Sequence, residues 1–330
     1  MNKLTRFCGV CSLAVVLSEY TTAQSVPIPE LPAGPPKLLT QPYLQNPTET
    51  GVTVVWLTNF VGSHHHLILG ADRLHKRGGL SGGGFHSSGN SSWDRGRPRF
   101  VRARTVKLHR LFEDASSKLE DTTAQVSRRV VYRHEAVVDG LVADVARTYW
   151  IASVTDDGQT LDAGPYTLQP LPSEGRPLEI LLTSDQQERF NTLANYQKVA
   201  ELFPALDAIF FAGDLANHPR RGSEWFDNFR ESWRSNPLSA SPSFFPAMQG
   251  TFRNFVPESP YRGGELLQNI PLFPSVASHE VSGRFRPNET YVLTRAHGSR
   301  AAHSVCRRER VGARQACVDA AERPIAPAGI

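Results

Sequence analysis

Two aspartates stand out in this chain of 330 residues because each lies two residues beyond the end of a short apolar run. Asp185 follows residues 178–183, and Asp214 follows residues 206–212. Between the two runs, residues 192–203 carry apolar side chains at the spacing of one helical face. A strand–helix–strand unit places its two strands parallel, so both carboxylates are expected at the same edge of one sheet.

Two carboxylates at one sheet edge repel each other, and a shared cation relieves the repulsion. Hard cations prefer such oxygen ligands. The alternative is that each aspartate caps the loop or helix that follows its strand. A single aspartate is better explained as a cap, whereas two aspartates in equivalent places favour a metal site.

A third segment ends in a similar way, since residues 271–277 are apolar and strand-like and a histidine lies two residues beyond them. Three short motifs therefore follow one another along the chain: Ser184-Asp185, Gly213-Asp214 and Ser278-His279-Glu280. In order and spacing they resemble the motifs of the metallophosphoesterase (calcineurin-like) superfamily. The branch they resemble most is that of bacterial proteins similar to purple acid phosphatases.

This resemblance implies an enzyme that hydrolyses small phosphate esters with two metal ions, for which iron, zinc and manganese are candidates. Asp185 would bind the first ion and Asp214 would bridge both ions. Ser278 replaces an asparagine ligand, and Gln187 replaces a histidine found in many members, so both would be weak ligands. His279 would bind no metal; it would stabilise or protonate the leaving group.

The residue three positions after Asp214 argues against one kind of metal centre found in this family. Purple acid phosphatases usually have a tyrosine ligand there, whereas this chain has Asn217. The resemblance therefore does not imply an iron–tyrosinate site.

Residues 37–170 have a different pattern, with short runs of alternating apolar and polar residues such as 51–57 and 129–138. This alternation is typical of half-buried strands and predicts a β-sandwich. Residues 39–45 and 54–56 also resemble the fibronectin-III-like N-terminal domain of purple acid phosphatases. The predicted fold class is an all-β fibronectin-III-like sandwich followed by an α/β unit, an incomplete metallophosphoesterase sandwich of the αββα type.

Three successive histidines, His64, His65 and His66, invite a metal-site interpretation. In a strand, successive side chains point to opposite faces, so at most His64 and His66 could share a face. We therefore expect surface or edge residues here.

Both ends of the chain suggest processing or irregular structure. Lys3 and Arg6 precede an apolar segment at residues 7–17, which predicts a signal peptide, export to the periplasm or medium, and no permanent membrane span. The predicted organisation is a signal peptide at 1–24, a proline-rich linker at 25–36, the sandwich at 37–170, a linker at 171–177, a partial phosphoesterase domain at 178–294 and a basic tail at 295–330.

The tail from residue 295 contains seven arginines and three acidic residues. Their difference equals the formal charge of +4 of the whole chain, so the rest is neutral and no nucleic-acid surface is expected. The later histidine ligands of the family are not found in the tail. The composition of the tail resembles that of a truncated or frame-shifted product. One alternative to an active or impaired phosphoesterase is a non-catalytic relative or fragment that binds a metal or phosphate weakly, or binds nothing. Another is an adhesive or carbohydrate-binding β-sandwich protein.

Overall fold

The computed structural model describes residues 27–70, 98–115, 117, 125–187, 189, 191–227, 242–253 and 261–281. The predicted signal peptide at residues 1–24 and the basic tail at residues 295–330 lie outside these described residues. Within them, no helix is long and apolar enough to cross a membrane.

Ten strands are described in the N-terminal part, and eight of them form two antiparallel sheets of four strands each. The strands are β1 (Tyr43–Gln45), β2 (Val52–Thr58), β3 (His64–Leu69), β4 (Arg99–Arg102), β5 (Arg104–Leu108), β6 (Phe112–Glu113), β7 (Ser127–Arg128), β8 (Val131–Val138), β9 (Arg147–Val154) and β10 (Thr160–Leu168). The first sheet has the order β1-β2-β8-β5 and the second has the order β10-β9-β3-β4, while β6 and β7 pair with each other.

The two four-stranded sheets share one apolar core. Val54 and Trp56 of β2 belong to this core together with Leu67 of β3 and Ile151 of β9, and all four side chains are fully buried. The alternation predicted for residues 51–57 places these side chains on one face of β2. The strands from Tyr43 to Leu168 therefore form a β-sandwich, as the pattern of short strands predicted.

The described residues from 180 onward form a parallel α/β unit. Its elements are β11 (Ile180–Thr183), α1 (Thr192–Leu202), β12 (Ala208–Phe211), α2 (Ser223–Phe226), α3 (Phe244–Met248), β13 (Leu272–Pro274) and α4 (Ser278–Val281). The three strands have the order β11-β12-β13, and both pairings are parallel. The prediction that residues 178–183 and 208–212 contain neighbouring parallel strands is confirmed.

One face of this parallel sheet is apolar and open to solvent. Leu182 pairs in register with Phe210, and Phe210 pairs with Phe273. The rings of Phe210 and Phe273 are stacked with centroids 4.9 Å apart, yet Leu182 is 74% exposed and Phe210 is 41% exposed. Parallel sheets normally have both faces covered, and within the described part of the chain this face lacks such a cover.

The opposite face of the parallel sheet belongs to a second core that also includes the sandwich. Val55 and Leu57, on the outer face of β2, lie in the same cluster as Ile209 and Phe211 of β12. The rings of Tyr43 and Phe245 have centroids 5.1 Å apart across this junction. Both faces of β2 are thus buried, which explains why the strand is apolar on both sides.

Polar contacts complete the junction between the sandwich and the α/β unit. The Tyr149 hydroxyl donates to the Gln268 carbonyl at 2.6 Å. Arg129 is 9% exposed and lies between two carboxylates: it donates to Glu113 at 3.0 Å, and its second nitrogen donates to Asp227 at 3.2 Å. A buried guanidinium needs such partners, since an unpaired buried charge is strongly destabilising. Side-chain packing and hydrogen bonds therefore join the sandwich to the α/β unit, in addition to the segment that connects them.

The expectation that the histidine run lies at the surface or at an edge is wrong for its middle member. Strand β3 is an inner strand, between β9 and β4, and His65 is 4% exposed. Its ring stacks on that of His134 with a centroid distance of 3.6 Å, and His134 is fully buried. Sequence alternation predicts which residues share a face, but it does not predict which strands become the inner ones.

Burial disfavours the charged form of both rings and lowers the pKa of each, and hydrogen bonds fix the orientation of the rings. The His65 Nε2 contacts the Val61 carbonyl, which can only accept, and its Nδ1 lies 2.9 Å from the Ser153 hydroxyl. The His134 nitrogens lie 2.8 Å from the Thr58 hydroxyl and 2.9 Å from the Thr105 hydroxyl. Burial, followed by the charge of His65, lowers the pKa of His134 from its ordinary value of 6.5 to about 3.

This cluster predicts loss of stability in acid. Because the pKa of His134 is lower in the folded chain than in the unfolded chain, the unfolded chain binds the extra proton between pH 6.5 and about 3. The free energy of unfolding should therefore fall as pH decreases through this window, by up to about 1.4 kcal/mol per pH unit for this one group. Urea unfolding at several pH values measures the slope.

The matched variants are His134→Gln and His64→Gln, of which the second changes an exposed ring on β3. We expect the slope to become shallower in His134→Gln and to stay as in the unaltered chain in His64→Gln. Equal slopes in all three proteins would contradict the role given to His134.

Candidate functional site

The loops that follow β11 and β12 place the two predicted aspartates at one edge of the parallel sheet. Asp185 has a φ of 54° and Asp214 has a φ of 56°, both in the left-handed region that non-glycine residues seldom adopt. The Asp185 backbone N–H donates to the Gly213 carbonyl at 3.2 Å and so ties one loop to the other. Strained backbone of this kind is a frequent feature of functional sites.

The third motif reaches the same edge through a close approach at Gly213. This glycine has a φ of 88°, and a Cβ placed on it would lie 2.8 Å from the Ala277 backbone nitrogen and closer still to the Ala277 Cβ. Any larger residue at position 213 would therefore push the loop after β12 away from Ala277, which directly precedes α4.

Glu280 clamps these two segments together. Its carboxylate accepts backbone hydrogen bonds from Asp214 and Leu215, both at 2.9 Å, and from Ala277 at 3.0 Å. These contacts use the carboxylate to hold backbone, so Glu280 is a positioning residue. No role was predicted for Glu280 from the sequence, although its place directly after Ser278 and His279 in the third motif could have indicated one.

Asp214 lies at the centre of the site and is 8% exposed. Its Oδ1 accepts the His279 backbone N–H at 2.7 Å, and its Oδ2 accepts the Ser278 hydroxyl at 3.1 Å and the Gln187 amide at 3.0 Å. Burial alone would raise the pKa of this carboxyl, but the hydrogen bonds from His279, Ser278 and Gln187 outweigh it and lower the pKa below its ordinary value. Asp214 is therefore a carboxylate held ready in its charged form.

The side chain of Gln187 lies between the two aspartates. Its Nε2 is 3.0 Å from Asp214 Oδ2 and 3.5 Å from Asp185 Oδ1, so one amide nitrogen reaches both carboxylates. The structure thus places Gln187 beside both aspartates, with its nitrogen rather than its oxygen facing Asp214. Asp185 itself is exposed to solvent at the mouth of the site.

His279 is oriented by the backbone of the loop after β12. Its Nδ1 lies 2.8 Å from the Asn217 carbonyl oxygen, which can only accept, so Nδ1 carries the hydrogen. In the neutral ring, Nε2 is then the nitrogen that can take up a proton. The structure therefore brings together all five residues that the sequence indicated: Asp185, Gln187, Asp214, Ser278 and His279.

The donor atoms decide which metal ions these residues fit. Asp185, Asp214 and Ser278 offer oxygen atoms, which suit one hard cation. Within the described part of the chain, no group of three or more histidine, cysteine, aspartate or glutamate side chains is placed to hold a metal ion. The described residues do not by themselves fit a centre of two metal ions. A cation held by these oxygen donors alone would keep most of its water ligands.

No family model and no curated protein sequence matches the chain. Among solved structures, the chain is similar to purple acid phosphatase PPD1 from yellow lupin (Lupinus luteus) seeds, with a TM-score of 0.44 and 14% identity over 72% of this chain and 35% of that chain. It also matches astrotactin-2, a vertebrate-specific perforin-like membrane protein, with a TM-score of 0.22 and 13% identity over 48% of this chain and 25% of that chain.

The chain thus spans about a third of the length of the lupin phosphatase chain that it resembles. Both TM-scores are low, so the two likenesses carry no argument about activity or site residues. The chemistry of the site is therefore inferred from its own geometry.

The close approach at Gly213 predicts a specific loss of stability. In Gly213→Ala the new Cβ meets Ala277 and also forces a left-handed conformation on a residue with a side chain. Gly175→Ala is the matched control, because Gly175 has a φ of 83° and no heavy atom lies within 4 Å of the position that a Cβ would take. We expect Gly175→Ala to cost about 1–2 kcal/mol from backbone strain alone.

Gly213→Ala should cost about 1–3 kcal/mol more than this control, because overpacking adds to the strain. Chemical denaturation of both variants measures the difference. Equal losses in the two variants would mean that the segment before α4 moves aside freely and that Gly213 does not hold the site together.

Proposed function

We propose that this chain carries the phosphate-binding edge of a metal-dependent phosphoesterase that acts on small phosphate esters. The observation that carries the proposal is the meeting of Asp185, Asp214 and His279 at one sheet edge, on loops with left-handed backbone that Gly213 and Glu280 hold together. The three sequence motifs lie far apart in the chain, and their convergence supports a shared chemical role.

Asp214 and Asp185 would hold one cation, with the Ser278 hydroxyl as a further oxygen donor. The chemistry that such a cation supplies when bound is neutralisation of charge on the phosphate and a lowered pKa of bound water. The candidates suggested by the family resemblance are iron, zinc and manganese, and the oxygen-rich donor set favours manganese among them. A second ion would need ligands from outside the described residues.

His279 would protonate the leaving-group oxygen. Its Nδ1 hydrogen bond to the Asn217 carbonyl fixes the ring so that Nε2 can carry the proton to be transferred. Its backbone N–H donates to the Asp214 carboxylate at 2.7 Å. This hydrogen bond would keep His279 next to the cation-binding carboxylate. General acid catalysis of this kind contributes typically about 10²–10⁴ in rate.

We propose also that residues 37–170 form a fibronectin-III-like domain. The sheet orders β1-β2-β8-β5 and β10-β9-β3-β4 support this, because they match the A-B-E-D and G-F-C orders of immunoglobulin-like sandwiches with one added strand. The junction through Arg129 and Tyr149 suggests that this domain serves as a scaffold for the catalytic unit.

A second candidate function is a non-catalytic relative that binds a cation or phosphate weakly. Both oxygens of Asp214 already accept hydrogen bonds, and among the described residues no group of three or more histidine, cysteine, aspartate or glutamate side chains is placed to hold a metal ion. This candidate predicts stoichiometric binding without turnover, whereas the first predicts release of phosphate.

Removal of the central carboxylate tests the cation site. In Asp214→Asn, one charge is lost at the position that the hydrogen bonds keep ionised, and we expect Mn²⁺ binding to weaken by at least about tenfold. Calorimetric titration with Mn²⁺ measures the change. Asp162→Asn, which alters an exposed carboxylate on β10, is the control and should bind as the unaltered chain does.

Replacement of His279 tests its role as the acid. If Nε2 protonates the leaving group, His279→Ala should slow hydrolysis of an alkyl phosphate by about 10²-fold or more and should affect p-nitrophenyl phosphate much less, because nitrophenolate leaves without a proton. Initial rates on the two esters give the comparison, with His64→Ala as control. An equal loss on both esters would assign His279 a structural role.

A further inference from the structure

A short chain of hydrogen bonds leads from the central carboxylate to an exposed cationic side chain. Gln187 Nε2 donates to Asp214 Oδ2 at 3.0 Å, and Arg189 Nη2 donates to Gln187 Oε1 at 3.1 Å. A guanidinium can only donate hydrogen bonds and a carboxylate can only accept them. Arg189 and Asp214 therefore require the same orientation of the Gln187 amide, with its oxygen outward and its nitrogen inward.

The backbone that carries Gln187 is held independently of this chain of side chains. Gln187 has a φ of 37°, and the Arg189 backbone N–H donates to the Gln186 carbonyl at 2.7 Å. The Gln186 side chain is 2% exposed, and its amide donates to the Pro242 carbonyl at 3.4 Å. The side chains of Gln187 and Arg189 can thus rearrange, or be substituted, while the loop keeps its anchor.

The orientation of this amide matters for any cation at Asp185 and Asp214. An amide binds a cation through its oxygen, whereas its NH₂ group can only donate hydrogen bonds. In the observed orientation the NH₂ group reaches both carboxylates and competes with a cation for their oxygens. Turning the amide by half a rotation would present a ligand oxygen, but it would break the hydrogen bonds to both Asp214 and Arg189.

We propose that Gln187 and Arg189 form a lock on the carboxylate pair. Arg189 is a positioning residue that acts through Gln187: it holds the amide in the donor orientation and so lowers the affinity of the site for a cation. This inference rests on the proposed function only in taking Asp185 and Asp214 as the cation-binding carboxylates. Release of Arg189, by an anion that binds its guanidinium or by substitution, frees the amide to turn and strengthens cation binding.

The test is a double-mutant cycle read out by Mn²⁺ binding to the full chain. Arg189→Met alone should raise Mn²⁺ affinity for two reasons: it removes a positive charge near the site and it releases the lock. In a Gln187→Ala background only the charge effect remains. We expect the increase caused by Arg189→Met to be roughly threefold or more larger with Gln187 present than without it.

Equal increases in the two backgrounds would overturn the lock and leave only a charge effect. The Asp214→Asn variant separates this result from failure of the proposed function. If Mn²⁺ binding depends on Asp214 but shows no coupling between Arg189 and Gln187, the lock alone is wrong. If no variant binds Mn²⁺, both the lock and the proposed cation site are wrong.

The hydrogen-bonded arrangement can also be measured without any cation. The side-chain NH₂ resonances of Gln187, identified by their loss in Gln187→Ala, should shift in nuclear magnetic resonance spectra of both Arg189→Met and Asp214→Asn. Gln197→Ala is the matched control, since Gln197 is a glutamine of α1 that donates to Glu201 at 3.1 Å. Unchanged Gln187 resonances in Arg189→Met would overturn the lock.

Discussion

The Glu280 carboxylate determines the geometry on which the candidate site depends. By accepting three backbone hydrogen bonds from two segments, it holds the loop after β12 against the segment that begins α4. Hydrogen bonds from backbone N–H groups to a charged acceptor are among the stronger ones in proteins. Because Asp214 lies in one of these segments and His279 in the other, this clamp also sets the distance between the carboxylate and the imidazole.

The two segments that Glu280 holds together can approach so closely only because Gly213 has no side chain. The glycine and the clamp act on the same pair of segments, one by removing a steric obstacle and the other by supplying attraction. The left-handed backbone at Asp185 and Asp214 is a cost of the same arrangement. At Asp214 this backbone is held by the hydrogen bonds of its side chain and its backbone N–H, and at Asp185 by the backbone hydrogen bond to Gly213.

The sandwich contributes to the site from a distance. Its first sheet and the parallel sheet share one core, so β12 and its loop rest on a surface built from β1 and β2. The opposite face of the parallel sheet, with Leu182 and Phe210, has no such cover among the described residues. Support of the site is therefore one-sided in this part of the chain, and the interface with the sandwich carries it.

The sequence alone determined the elements and the positions of the two aspartates. Apolar periodicity reports which faces are buried, so the strand–helix–strand unit, the parallel pairing of β11 with β12 and the convergence of Asp185 and Asp214 could be predicted from local pattern. The short alternating runs predicted the sandwich for the same reason. The resemblance of three spaced motifs also selected Ser278, His279 and Gln187 as neighbours of the aspartates.

Only the tertiary structure decided what these neighbours do. The orientation of the Gln187 amide depends on Arg189 and Asp214 together, the clamp of Glu280 depends on loops 65 residues apart, and the burial of His65 depends on the order of strands in the sheet. All three depend on contacts between residues distant in the chain, such as that of Gln187 with Asp214 and that of Glu280 with Leu215. Local pattern carries information about periodicity and burial, whereas such contacts depend on how the elements pack.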